Sequence, residues 1–201
     1  MYGWNDSRIV TNIQKDDSND NKKVVLTFDD GPTEYLEAIL NTLSAHGVRA
    51  VFFWLTSNLT DTELIKKVEE DGHVIGLHGN DHVDFRKLTK LEQQTEIQEG
   101  VCKLQKFACE PVDWFRPPYG QYDSNLLNVL KDNDLRPLLW EVASLDWECE
   151  QHPEQIVKNV IDNIRDGAVI LLHELPQTVA VLGSLIEHII QKGYEITLPD
   201  V

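Results

Sequence analysis

The sequence is poor in cysteine, in cationic residues and in long apolar runs. It has three cysteines in 201 residues and no Cys-x-x-Cys spacing, which indicates ordinary thiols and excludes a disulfide framework or a cysteine-rich zinc knot. No apolar run reaches the ~18 residues that span a bilayer, so we expect no membrane insertion. The 18 Lys and Arg residues are outnumbered by 34 Asp and Glu residues, which gives a net charge of −16.

This negative charge limits the partners that the protein can have. It would repel phosphates and anionic membrane surfaces, so it argues against nucleic acid as a partner. An ordinary acidic, soluble surface is the simpler interpretation of the charge. A preference for neutral or cationic substrates is the alternative.

The first 22 residues are predicted to form a polar arm, and residues 23–201 a single domain. The run from Lys15 to Lys22 is too polar to bury, and the chain is long enough for one domain with a core. The polar segment from Met1 to Lys23 is not a secretory signal peptide. The sequence therefore predicts a cytoplasmic protein, unless it is the trimmed form of a secreted or cell-wall protein.

Short apolar runs alternate with amphipathic helical segments from Lys23 onward. Their β-branched and aromatic content is typical of strands that are buried on both faces. The runs are Val24–Phe28, Ala50–Leu55, Val74–Leu77, Trp114–Phe115, Leu138–Val142, Ala168–Leu172 and Tyr194–Leu198. Two helical segments start with capping boxes, Thr60-x-x-Glu63 and Thr89-x-x-Glu92. About seven strands alternating with about six helices predict a parallel α/β protein, open or barrel-shaped.

Ionisable residues follow five of the predicted strands. In parallel α/β folds the active site lies at the carboxyl ends of the strands, so we expect these residues to lie close together. They belong to the segments Asp29-Asp30-Gly31-Pro32, His78-Gly-Asn-Asp-His82, Arg116-Pro-Pro-Tyr-Gly120, Asp146-Trp147 and His173-Glu174.

Each segment alone has a structural explanation. Asp-Asp-Gly-Pro also forms a good turn, tandem prolines make a rigid elbow, and the histidines and the tryptophan fit strand ends or core positions. Taken together they indicate a catalytic site. Two histidines and one carboxylate complete a three-ligand zinc set that leaves a position open for water or substrate. A second carboxylate can then serve as base and a remote histidine as acid.

Five motifs in this order and spacing resemble those of the polysaccharide deacetylase family, the NodB-homology domain of carbohydrate esterase family 4. The motifs are Thr27-Phe-Asp-Asp-Gly-Pro32, His78-x-x-x-His82, Arg116-Pro-Pro-Tyr-Gly120, Asp146-Trp147 and Leu171-x-His173. The family includes chitin deacetylases, peptidoglycan N-acetylglucosamine deacetylases and acetylxylan esterases. The resemblance runs from about Val24 to Leu198 and implies a distorted (β/α) barrel.

The resemblance also implies a metal centre and a base. Asp30, His78 and His82 would bind one divalent metal ion, usually zinc and sometimes cobalt or another ion. Asp29 would be the general base, and Arg116 would orient it.

The other motifs imply an acid and a binding pocket. His173 would be the general acid, and Asp146 would set its charge. The backbone N–H of Tyr119 would help to hold the oxyanion, so Tyr119 would also be a substrate-binding residue. Trp147 and Leu171 would wall a pocket for the acetyl methyl group.

Three positions depart from the family pattern. Gly79 stands where a Ser or Thr hydroxyl usually braces the metal loop. Ala143 replaces the first carboxylate of Asp-x-x-Asp-Trp, and Glu174 stands where Asp is common. None of these changes removes a metal ligand, the base or the acid, so they bear on efficiency and metal affinity.

The expected activity is hydrolytic removal of acetyl groups from N-acetylated oligo- or polysaccharides, such as the N-acetylglucosamine units of chitin- or peptidoglycan-type polymers. Acetate and a free amine would be the products. One alternative keeps the fold and changes the substrate, to an O-acetylated xylan or a small molecule. Another is a carbohydrate-binding member of the same fold without turnover, against which the complete set of metal, base and acid residues argues.

Overall fold

The computed structural model describes residues 6–13, 22–60, 62–108 and 110–199. Within them the strands are β1 (Lys22–Gly31), β2 (Val51–Trp54), β3 (Val74–Leu77), β4 (Trp114–Phe115), β5 (Arg136–Pro137), β6 (Val142–Ala143), β7 (Val169–His173) and β8 (Tyr194–Ile196). The α-helices are α1 (Leu36–Ala45), α2 (Thr62–Glu70), α3 (Lys90–Leu104), α4 (Ser124–Asp132), α5 (Glu154–Asn163) and α6 (Pro176–Gln191).

The strands pair in parallel, in the order β5-β4-β3-β2-β1-β7-β6, and β8 pairs with β1. The sheet curls so that one core lies inside it and a second core lies between the sheet and the helices. The prediction of a distorted (β/α) barrel is therefore confirmed.

β1 lies in the middle of the sheet and divides its side chains between the two cores. Val24 and Phe28 belong to the core against the helices, whereas Val25 belongs to the core inside the barrel. Successive strand residues point to opposite faces, so Thr27 and Asp29 share the inner face with Val25. This alternation directs a buried carboxylate into the barrel at the carboxyl end of the strand.

The barrel is open between β5 and β6, which are the two outermost strands of the sheet. β5 pairs with β4 and β6 pairs with β7. The prediction of one strand over Leu138–Val142 is therefore wrong, because the chain crosses from one sheet edge to the other within this run. The apolar pattern could not reveal the crossing, since Leu138, Leu139 and Trp140 are as deeply buried as strand residues.

Residues 6–13 lie along this opening. Val10 forms a parallel bridge with Leu138 and Asn12 an antiparallel bridge with Ala168, while Ile13 packs into the inner core. Residues 1–5 and 14–21, which make up most of the predicted polar arm, lie outside the described residues. The domain boundary at residue 22 stays a prediction.

The helices show one of the predicted starts directly. At α3 the Thr89 side chain accepts from the Glu92 backbone N–H, and the Glu92 carboxylate accepts from the Thr89 N–H, so this capping box is confirmed. The box predicted at Thr60 adjoins residue 61, which lies outside the described residues. In the described part of the chain, no helix is both long enough and apolar enough to cross a membrane.

Candidate active site

The carboxyl ends of the strands surround a cavity of about 550 Å³. Eight of the ten predicted site residues line it, namely Asp29, Asp30, His78, His82, Tyr119, Trp147, Leu171 and His173. The other two, Arg116 and Asp146, have no exposed surface and are each ion-paired with a lining residue. The structure thus brings all ten residues together at the carboxyl ends of the strands.

Asp30, His78 and His82 form a compact donor set whose ligand atoms all lie within 4.8 Å of one another. The Nε2 atoms of His78 and His82 lie 3.4 and 3.5 Å from Asp30 Oδ1. This oxygen is buried and has no hydrogen-bond partner among the described residues. A carboxylate oxygen faced by two imidazole nitrogens fits a divalent cation, and three ligands leave a position open for water or substrate.

The protonation states of this donor set also suit a cation. His78 Nδ1 donates to the carbonyl of Arg116 at 2.7 Å, which leaves the Nε2 lone pair directed at Asp30. Burial lowers the pKa of His82 and so favours the neutral imidazole. Burial acts to raise the pKa of Asp30, but His78, His173 and His82 outweigh it and lower that pKa below its usual value.

Asp29 is held by a buried ion pair. Its Oδ1 accepts from Arg116 Nη1 at 2.7 Å, and the remaining donors of Arg116 reach the Thr27 hydroxyl and the carbonyls of Leu138 and Leu139. Because each guanidinium nitrogen has an acceptor, the guanidinium is held in place and fixes the carboxylate in one orientation. The second oxygen, Oδ2, lies 3.8 Å from His78 Nε2 and so stays beside the donor set.

His173 is paired with a second buried carboxylate. Its Nδ1 lies 2.8 Å from Asp146 Oδ1, while Asp146 Oδ2 accepts from the His173 backbone N–H and the Thr178 hydroxyl. Burial acts to lower the pKa of His173, but the hydrogen bond and charge of Asp146 raise it above its usual value. Its Nε2 lies 4.0 Å from Asp30 Oδ2. The site therefore holds a readily protonated imidazole beside the donor set.

Two exposed aromatic rings lie at the rim of the cavity, one beside His82 and the other beside His173. Tyr119 is 60% exposed and packs edge-on against His82, with ring centroids 4.4 Å apart. Trp147 is 44% exposed and packs edge-on against His173 at 5.3 Å. Leu171 lines the same cavity but is buried. The cavity thus combines its ionisable groups with apolar and aromatic walls, as small-molecule sites commonly do.

Unusual backbone conformations concentrate in this site. Of the five non-glycine residues with positive φ in the described ranges, Asp30 (φ 69), His82 (φ 55) and Tyr119 (φ 60) line the cavity. A fourth, Leu145 (φ 56), directly precedes Asp146. Left-handed non-glycine residues are uncommon and cluster at functional sites, where the surrounding structure holds them.

The comparison with known proteins decides the family. A sequence model described as polysaccharide deacetylase matches residues 16–138. A peptidoglycan-N-acetylglucosamine deacetylase of Bacillus cereus is 33% identical over 186 residues, which is 87% of this chain and 68% of the relative. The chain belongs to the polysaccharide deacetylase family. The resemblance seen in the motifs is therefore confirmed, and with it membership of a family of deacetylase hydrolases.

Solved structures of the family extend the comparison. A peptidoglycan N-acetylglucosamine deacetylase in complex with 4-naphthalen-1-yl-N-oxidanyl-benzamide superposes with a TM-score of 0.87 at 29% identity, over 94% of this chain and 90% of that one. A family 4 pseudoenzyme of Bacillus anthracis gives a TM-score of 0.83 at 25% identity, over 88% of this chain and 63% of that one. The fold therefore occurs in a pseudoenzyme as well as in deacetylases, and function has to be argued from the residues of the site.

Four further cavity residues received no role from the sequence, and two of them, Trp140 and Glu174, are buried. Trp140 lies in the apolar run Leu138–Val142, for which the sequence predicts a strand. Glu174 is buried, and its carboxylate accepts from the Thr33 backbone N–H at 2.7 Å and from Trp54 Nε1 at 3.0 Å. Burial raises the pKa of Glu174 to about 7. The available signal was its position next to His173, where Asp is common in the family.

Proposed function

We propose that this chain is a metal-dependent N-deacetylase that removes acetyl groups from N-acetylglucosamine units of a glycan. One observation carries the proposal: a three-residue cation donor set, an arginine-held carboxylate and a carboxylate-held histidine meet at one cavity. Acetamide hydrolysis needs activation of carbonyl and water, a base, and an acid for the leaving amine. The three groups supply one of these each.

The base is Asp29. Asp30, His78 and His82 would hold a divalent ion, zinc or a similar metal, which when bound supplies Lewis-acid polarisation of the carbonyl and acidifies water. Asp29 Oδ1 is occupied by Arg116, so Oδ2 is the atom that takes the proton from the attacking water. The hydrogen bond from Arg116 to Oδ1 holds this carboxylate in an orientation that leaves Oδ2 beside the donor set.

The acid is His173. An amine leaves an acetamide only when it is protonated, so a proton donor has to face the nitrogen of the scissile bond. Asp146 accepts at Nδ1 and favours the imidazolium, which leaves the Nε2 proton at the cavity. The backbone N–H of Tyr119, in its left-handed conformation at the rim, is the donor that we assign to the developing oxyanion.

The substrate assignment rests on the relatives and on the pocket. The Bacillus cereus relative is named a peptidoglycan-N-acetylglucosamine deacetylase, which favours an N-acetylated sugar of that type. Leu171 gives the cavity an apolar wall suited to a methyl group, and the exposed rings of Tyr119 and Trp147 give flat surfaces against which sugar rings can pack.

Acetate release from a panel of acetylated oligosaccharides tests this proposal. The metal-supplied protein should release acetate from N-acetylglucosamine oligomers and peptidoglycan glycan fragments faster than from acetylxylan. Efficient turnover of acetylxylan with none on the N-acetylated oligomers would replace the N-deacetylase by an O-acetyl esterase. Binding of the oligomers without release of acetate from any substrate would identify a non-catalytic carbohydrate-binding protein.

A further inference from the structure

The loop that joins His78 to His82 lacks the side-chain hydroxyl that the family pattern leads one to expect. Gly79 has φ +93, and a Cβ at this position would meet the ring of Phe85 at 3.4 Å and the Glu96 carboxylate at 3.8 Å. These are ordinary contact distances, but a side chain at this position would be strained, because its φ is one that L residues rarely adopt. The loop has to be held by other groups.

Asn80, the next residue, forms hydrogen bonds with the groups that hold the loop. Its side-chain Oδ1 accepts from the Thr56 hydroxyl at 2.8 Å and from Lys103 Nζ at 2.6 Å. Its backbone N–H donates to Glu96 Oε1 at 2.8 Å, and its carbonyl accepts from the Ser57 hydroxyl at 2.6 Å. Asn80 is thus held on one side by the segment after β2 and on the other by α3.

The packing of α3 explains how Glu96 and Lys103 reach this loop. They lie seven residues apart, which is two turns on the same face of the helix. Gly100 lies between them, and a Cβ there would approach a side-chain methyl of Leu77 to 2.9 Å. Glycine thus allows α3 to pack closely on the last residue of β3, directly before His78.

We propose that Asn80, held by Glu96 and Lys103, is the positioning element that fixes both histidines of the metal-binding set in this chain. The proposal rests on the metal site proposed above. Contacts that orient metal ligands typically change metal affinity 10–100-fold when they are removed. None of these three residues belongs to the donor set, so their effect would be exerted through the geometry of the loop.

The test is the affinity of the full chain for Co²⁺, measured by competition with a chromophoric chelator, with thermal melting of the metal-free protein as a check on folding. The variants are Glu96→Ala, Glu96→Gln and Lys103→Met, and Glu99→Ala on the exposed side of α3 is the matched control. We expect Glu96→Ala to raise the Co²⁺ dissociation constant about 10–100-fold. Glu96→Gln, which keeps an oxygen for the Asn80 N–H, and Glu99→Ala should bind as the parent does.

Lys103→Met separates position from charge. Removing a cation near the site would by charge alone strengthen Co²⁺ binding, whereas loss of the Asn80 contact should weaken it. Because the methionine keeps most of the apolar stem, this variant also serves if Glu96→Ala fails to fold. Tighter binding by Lys103→Met, or equal weakening in Glu96→Gln and Glu96→Ala, would overturn the proposal. Parental affinity in all variants would do the same and leave the metal site intact, whereas a parent that binds no Co²⁺ would refute both.

Discussion

The carboxyl ends of the strands (the carboxyl edge) and their amino ends (the amino edge) hold histidines of opposite character. At the carboxyl edge, His173 lies beside Asp146, whose hydrogen bond and charge overcome the effect of burial and raise the pKa of the imidazole. Near the amino edge, His73 precedes β3, packs against Phe52 and accepts from the Ala50 N–H. Burial lowers the pKa of His73 to about 4.

The difference shows that partner and not depth decides the chemistry of a buried imidazole. Both rings lose much of their contact with water, which by itself disfavours the charged form. His173 has a carboxylate that compensates, and His73 has a backbone N–H, which requires the neutral ring. In the proposed function the carboxyl edge therefore serves proton transfer, whereas His73 at the amino edge serves packing.

The largest effect is expected from a change in the donor set. His82→Ala should lose the metal ion and the activity together, because the ion would keep only two protein ligands. Metal content by elemental analysis and acetate release are measured on the same preparation, and His152→Ala, at an exposed position, is the control. If His82→Ala binds metal as tightly as the parent, the ligand assignment is wrong.

Next comes removal of the acid. His173→Ala should lower turnover by roughly 10²–10⁴-fold, as is typical for the loss of a general acid, while about one equivalent of metal stays bound, the number expected for one three-ligand site. Turnover of an unactivated acetamide and metal content are the two readouts. An empty metal site in this variant would make His173 a ligand, and near-parental turnover would exclude it as the acid.

A smaller effect is expected from Asp146→Asn, which tests the cause of the raised pKa. In the proposed mechanism the imidazolium is the active form, so activity should fall as the pH rises through the pKa of His173. Removing the neighbouring negative charge lowers that pKa, and the alkaline limb of the pH–rate profile should move to lower pH. An unmoved limb would show that Asp146 does not set this titration, and Asp162→Asn on exposed α5 is the control.

The smallest effect on activity is expected at the other edge, where His73 should act on stability alone. The folded-state pKa of about 4 lies below the unfolded value, so the unfolded chain binds the proton more readily. The contribution of His73 to the free energy of unfolding is therefore fully present above pH ~6.5. It falls as the pH drops toward 4, by up to about 3 kcal/mol. His73→Asn keeps an acceptor for the Ala50 N–H and should reduce this loss in urea unfolding, with turnover at pH 7 unchanged. Equal acid sensitivity in parent and variant would refute it.

Much of the fold and of the site followed from local patterns. Buried parallel strands have a recognisable composition, and their carboxyl ends meet at one edge. Residues as distant in sequence as Asp29 and His173 could therefore be expected to lie together. The structure places them on paired positions of β1 and β7.

The remainder depends on contacts that no local pattern encodes. Which strands lie at the edges of the sheet depends on the pairing of distant segments, so the crossing between β5 and β6 at Leu138–Val142 resembled a strand. Glu174 bonds to Thr33 across 141 positions, and Asn80 gains its partners only through the packing of α3. Such residues are polar, and they acquire a role only from the tertiary structure.

Acetate release from N-acetylglucosamine oligomers, followed through chelation and return of zinc, tests the central claim most directly. If Asp30, His78 and His82 form the centre of a metal-dependent deacetylase, turnover should disappear with the metal and return with about one equivalent of zinc per chain. Undiminished turnover by protein that elemental analysis shows to be free of metal would contradict it.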